Sequence, residues 1–192
     1  NAVITFLFNI ILMRLAGPNG VAAITILLYG QFLFNAFYLG FSIGTSPIVG
    51  YQYGAGNRKE LKSIYRISFR FVSLSSVIIA FAAVYLSTSI VTIFTDDPKT
   101  HALAVTGFGI FAYNFLFSGF NIASSGFFTA LSDGKSSAII SFCRTLLFTV
   151  ISLLVLPRFF GVNGAWLAIP VAEFVTLLLS IWMHRKYLYR FI

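Results

Sequence analysis

The chain has 192 residues, 58% of them hydrophobic and only 9% charged, with a formal net charge of +8. Its mean hydropathy of +0.91 excludes a soluble domain of this length, because the outer face of such a domain must stay wet. The basic excess does not point to nucleic acid, since Lys and Arg flank apolar stretches and show no Gly-rich or aromatic-interleaved basic pattern.

The apolar residues fall into about six blocks, roughly 1–16, 21–50, 67–94, 102–131, 138–156 and 165–183. A bilayer crossing needs about 20 residues of helix, so the expected fold is an all-α membrane protein, a six-helix transmembrane bundle. The first block is short and begins at Asn1 with no charged leader. It reads as the end of a truncated first helix whose start lies outside this sequence.

Gly17-Pro18-Asn19-Gly20 follows that block, and Gly161-Val162-Asn163-Gly164 precedes the last one. Both read as turns leading into a helix, with Gly supplying positive φ and Asn available as a cap. The second block carries Gln31, Asn35, Tyr38, Ser42 and Thr45, a spacing of 4, 3, 4, 3 that keeps them on one helix face. Gly40 and Gly44 form a G-x-x-x-G pattern suited to close helix approach, and Pro47 and Gly50 invite a bend. In the following connection Lys59, Lys62, Arg66 and Arg70 share a face opposite Leu61, Ile64 and Tyr65. This predicts an interfacial helix with its basic side toward headgroups, or else the wet first turns of the third span. Thr95-Asp96-Asp97-Pro98 closes that span.

The fourth block repeats the polar row with Asn114, Ser118, Asn121 and Ser125, and Ser132 nearby. Two rows in one bundle suggest the wall of a hydrated cavity, with interhelical glue as the plainer alternative. In the fifth block Arg144 lies a few residues inside the span and is expected to snorkel. Glu173 is the acid deep within the last block, with Pro170 one turn earlier. Burial in lipid favours the neutral form of a carboxyl, so Glu173 is the candidate for taking up a proton or a cation; the plainer reading is a neutral carboxyl bonded to a neighbouring helix. Cys143 is the single cysteine, and His101 and His184 are far apart in sequence, so neither a disulfide nor a local metal cluster is expected. Catalytic and nucleotide-binding motifs such as H-E-x-x-H, G-x-S-x-G and G-x-x-x-x-G-K-[ST] are absent. An enzyme is therefore not expected, and ATP cannot drive transport through this piece alone.

Charge placement orients the bundle. Arg58, Lys59, Lys62, Arg66, Arg70, Lys135, Arg144, Arg185, Lys186 and Arg190 fall on one side, against Arg14, Lys99 and Arg158 on the other. Ten against three puts the second and fourth connections and the C-terminus in the cytoplasm, as expected of a multi-pass protein of the inner (cell) membrane.

The stretch Pro47-Ile-Val-Gly50-Tyr-Gln-Tyr-Gly54-Ala-Gly-Asn57-Arg-Lys resembles the multidrug and toxic compound extrusion (MATE) family. Gly126-Phe-Phe-Thr-Ala-Leu-Ser-Asp133-Gly-Lys135 and Gly161-Val-Asn-Gly164-Ala-Trp fit the same pattern. The resemblance implies one lobe of a two-lobe transporter: residues 1–192 would be the C-terminal lobe, partnered by an N-terminal lobe, the lipid bilayer and a small organic substrate. It implies cation-coupled antiport by alternating access, with H+ or Na+ as the transported coupling ion and no resident cofactor. Sodium-linked members tend to carry an acid in the fourth helix of this lobe, near Ser118 or Asn121 here, where this sequence has none. Glu173 matches no family motif. The alternatives are a flippase of lipid-linked sugars from the wider exporter superfamily, or a membrane subunit that transports nothing.

The orientation is checked by placing a cysteine at Lys62 in the full-length protein with Cys143 replaced by Ala. A membrane-impermeant maleimide is expected to reach it only from the cytoplasmic side, and labelling from outside would invert the topology.

Overall fold

The computed structural model describes residues 2–188 and 191; Asn1 and Arg190, both used in the sequence reading, lie outside the described residues. Among the described residues the chain is helical, in seven elements: α1 (Ala2–Gly54), α2 (Arg58–Tyr85), α3 (Ser87–Phe94), α4 (Pro98–Phe111), α5 (Phe115–Ala130), α6 (Gly134–Phe142) and α7 (Phe148–Tyr187). A 3-10 turn, Ala112–Asn114, joins α4 to α5, and a π-helical segment, Cys143–Leu147, joins α6 to α7. These make four continuous runs long and apolar enough to cross a membrane: Ala2–Gly54, Arg58–Tyr85, Pro98–Ala130 and Gly134–Tyr187.

The first run, at 53 residues, would measure about 80 Å if straight, well over twice the hydrocarbon thickness. It is not straight. Gly17 takes φ +65°, ψ −156°, a conformation that costs a side chain dearly and glycine little. Pro18 then occupies the first position of the next helical stretch, where its missing N–H costs nothing. Gly161 breaks the last run in the same way at φ +55°, ψ −132°. The four-residue turns expected at 17–20 and 161–164 are thus single-residue breaks, and Asn19 and Asn163 lie within helix instead of capping it. One left-handed residue breaks the helix, so no longer loop is needed.

Two other expectations change, and Ser132 falls where expected, beside the fourth block. The basic segment 59–70 is not a separate interfacial helix: α2 runs unbroken from Arg58, and its first turns are collinear with the apolar remainder. Gly56 (φ +67°) turns the chain out of α1, and the Asn57 side chain accepts the Glu60 amide at 3.2 Å, so α2 starts already capped. Among the described residues the G-x-x-x-G pair meets no neighbour; an added Cβ at Gly40 or Gly44 would find nothing within 4 Å. Ser132 has left α5 and sits at φ +63° in the turn to α6, which Asp133 caps through the Ser136 amide at 3.1 Å. At the opposite end Asp97 caps α4, accepting the Thr100 amide at 2.7 Å. That donated amide holds the exposed Asp97 carboxyl below the usual carboxylate range.

The helix α5 is central, packing against α1, α2, α6 and α7. One apolar cluster joins Phe8, Leu12 and Ile24 of α1 to Phe108, Phe111 and Phe115, with Trp166 of α7. A second, around Val49, Leu61, Phe69, Phe127 and Leu131, fills the other end of the bundle. The outside is apolar too: Phe81 is 78% exposed and Ile93 81%. Such a surface is stable against lipid and not against water, and the chain is an integral, multi-pass membrane protein.

Glycine permits the tight seam along α5. A Cβ at Gly119 would meet the Tyr38 ring, including Cδ1 at 2.8 Å, and Ser76 Oγ at 2.8 Å. Gly119→Ala is therefore expected to destabilise the fold by about 1–3 kcal/mol. Thermal unfolding of the full-length protein in detergent checks this, with Gly109→Ala as the control because nothing lies within 4 Å of that position. Equal Tm values for the two variants would show that the seam is not close-packed.

Candidate functional site

The polar row of α1 packs onto the polar row of α5. Tyr38 is buried and its hydroxyl donates to the Phe115 carbonyl at 3.2 Å. Ser118 Oγ donates to Asn35 Oδ1 at 3.2 Å. Ser42 sits against Gly126, where an added Cβ would collide with its hydroxyl. Gln31, Asn35 and Ser42 are half-buried on the α1 side, whereas Asn114, Ser118 and Asn121 are wholly buried. The two rows thus face each other. Asn114 closes the 3-10 turn by donating to the Phe111 carbonyl at 2.6 Å. Ser125 turns away from α1 and meets Ser137 Oγ at 2.9 Å and Ser141 Oγ at 2.7 Å, tying α5 to α6.

The deepest cluster gathers around Glu173. Asn121 Nδ2 donates to Glu173 Oε2 at 2.7 Å and to the Glu173 carbonyl at 2.9 Å. Ser180 Oγ, two turns further along α7, donates to Asn121 Oδ1 at 3.0 Å. Both ends of the Asn121 amide are therefore engaged, and α5 is fastened to α7 at two levels. On the far side Arg144 Nη1 lies 3.2 Å from Glu173 Oε1, with side chains 18% and 5% exposed respectively. Arg144 does not snorkel as expected. The π-helical turn that contains it shifts its direction relative to a regular helix, and its carbonyl accepts the Thr149 hydroxyl at 2.7 Å. The guanidinium thus reaches inward to the acid.

Magnitude decides how this pair should be regarded. An exposed ion pair contributes about 0–1 kcal/mol, so its loss would pass unnoticed. Removing one member of a buried pair costs about 3–5 kcal/mol, because the other is left desolvated and uncompensated. The Arg144–Glu173 pair belongs to the second kind, and it is the one ion pair formed among the described residues.

Of the nine candidate residues, the structure joins Asn121 to Glu173 and Asn35 to Ser118, and it places Ser125 on another interface. Sequence reasoning missed Arg144 and Ser180 as partners. Arg144 carried a usable signal: a basic residue and an acidic residue, each alone in an apolar span, have the strongest reason to find each other. Ser180 carried none, since a serine on a membrane helix is ordinary.

Comparisons with known proteins agree on the family and the fold. A family profile, MatE, matches residues 1–154. No curated protein matches the sequence. The fold is similar to that of an outward-facing multidrug resistance MATE family transporter of the MOP superfamily, at TM-score 0.91 and 18% identity over 99% of this chain and 43% of that one. An inward-facing conformation of a transporter so described is similar at TM-score 0.91 and 18% identity, over 99% of this chain and 44% of the other. A MOP superfamily transporter from Pyrococcus furiosus Vc1, described as having a binding pocket of reversed polarity, matches at TM-score 0.88 and 19% identity over 96% and 42%. The chain thus spans less than half the length of these structures.

Proposed function

The chain belongs to the MatE family, whose members are transporters and not enzymes, and from that premise we propose that it is the C-terminal lobe of a cation-coupled antiporter exporting organic, often cationic, compounds. On this reading the breaks at Gly17 and Gly161 divide the four helical runs into six crossings. With Arg144 drawn inward to Glu173, the nine-to-three division of the other basic residues favours a cytoplasmic C-terminus and start of α2 in the cell's inner membrane. An N-terminal lobe of the same protein completes the pathway, and the two lobes alternate access by moving against each other. Gln31, Asn35 and Ser42, half-buried on α1, are the polar groups of this lobe that face its margin and can meet substrate.

The observation that carries the coupling is the Asn121–Glu173–Arg144 cluster. Glu173 already has a donor on each carboxylate oxygen, with a guanidinium 3.2 Å from one of them. A sodium ion would have to displace a donor and sit beside a fixed positive charge. A proton needs neither, and protonation cancels the attraction that holds Arg144. The cluster therefore favours H+ over Na+. Neutralised by Glu173, Arg144 is also a poor anchor for a diphosphate, which counts against a flippase of lipid-linked sugars.

One observation favours a second reading. The burial of Asn114, Ser118 and Asn121 is what interhelical glue requires, and a subunit that transports nothing would be built the same way.

A double-mutant comparison in the full-length protein separates the two. Glu173→Gln is expected to keep the Asn121 contact, strand Arg144, lower Tm and reduce ion-coupled efflux at least about tenfold. Adding Arg144→Gln removes the stranded charge, so stability recovers. If Glu173 carries the coupling proton, efflux stays lost in the double variant. Recovery of efflux together with Tm would assign the pair a purely structural role.

A further inference from the structure

The membrane placement leaves one charged feature without a task. Lys62, Arg66, Arg70 and Ser73 succeed one another along α2 at intervals of 4, 4 and 3 residues, all exposed. With Tyr65 and Phe69 they line a groove of about 520 Å³. Successive cations stand about one helical turn apart, so the row of three extends about 12 Å along the helix axis. None of the three pairs with a carboxylate among the described residues, where the single ion pair is Arg144–Glu173.

The floor of the groove is fixed. Phe69 is buried against Phe120 and Phe127, and the Tyr65 hydroxyl is 3.0 Å from His184 Nδ1 of α7. Above the floor, the polarity changes sharply along the helix. Beyond Arg70 and Ser73 the exposed side chains of α2 include Leu74, Val77, Ile78 and Phe81. A row of free cations that ends where an apolar helix face begins has the polarity of a phospholipid, with phosphate at the Arg66–Arg70 level and acyl chains along the apolar face. Guanidinium groups bind phosphate oxygens in a bidentate fork, and the lysine adds a point charge at the water side.

We propose that the groove framed by Lys62, Arg66 and Arg70 is a binding site for the phosphodiester headgroup of an anionic phospholipid in the leaflet where α2 begins. The apolar continuation distinguishes this ligand from a free phosphate, which would gain nothing from Leu74 and Phe81. The site rests on the chain's placement in a membrane and not on the transport mechanism, so the two can fail separately.

The test uses the full-length protein in discs of phosphatidylcholine, with and without phosphatidylglycerol, and native mass spectrometry of the lipid retained on release. Wild type is expected to keep phosphatidylglycerol in preference to phosphatidylcholine and to gain Tm from it. Lys62→Gln/Arg66→Gln/Arg70→Gln should weaken that retention about a hundredfold, at roughly fivefold per cation. Arg66→Gln/Arg70→Gln should give a smaller loss in the same direction. Arg58→Gln/Lys59→Gln/Lys135→Gln removes equal charge outside the groove and should retain phosphatidylglycerol as wild type does. Equal losses from the two triple variants would reduce the effect to general surface charge and overturn the site. So would displacement of the lipid by inorganic phosphate, which would make it a site for the free anion.

Discussion

A carboxylate inside hydrocarbon must be answered by a partner, and the arrangement of this bundle depends on how Glu173 is answered. The cost of leaving either member of the Arg144–Glu173 pair alone, about 3–5 kcal/mol, is a large part of the roughly 5–15 kcal/mol that separates folded from unfolded states in ordinary domains. Three elements are positioned by that requirement: α7 carries the acid, the π-helical segment turns Arg144 toward it, and α5 presents Asn121 to its other oxygen. Ser180 then occupies the remaining face of Asn121. The hydrogen bonds from α1 to α5, Tyr38 to Phe115 and Ser118 to Asn35, extend the same seam outward.

In the proposed mechanism, a lobe fastened in this way would move as one piece, as rocking requires. Its internal breaks are placed at Gly17 and Gly161, away in sequence from Arg144 and Glu173. In the proposed cycle, a proton on Glu173 removes the attraction to Arg144 without removing the Asn121 contact to the Glu173 carbonyl. The packing survives while its electrostatic lock is released.

Much of this is legible in the sequence. Apolar blocks separated by Gly-Pro-Asn-Gly, Asp-Asp-Pro and Ser-Asp-Gly mark helices and their ends, because lipid forbids unsatisfied backbone and leaves little else to build with. The 4, 3, 4, 3 spacing correctly places Asn35 and Tyr38 on one face. It cannot show what that face meets: a polar row satisfied by another polar row reads the same as one satisfied by water. Arg144 is misplaced for a different reason. Its place a few residues inside the span suggests snorkelling, and the sequence does not show the π turn Cys143–Leu147 that contains it. The Gly40–Gly44 pair illustrates a third limit, since close approach depends on a neighbour that sequence spacing does not specify.

The central claim is that Glu173 changes protonation as substrate moves. Difference infrared spectra of the full-length protein in lipid, recorded on adding substrate, address it directly. A change in a carboxylic acid C=O band that is absent from Glu173→Gln is the predicted result. A carboxyl region that stays silent while transport proceeds would contradict it.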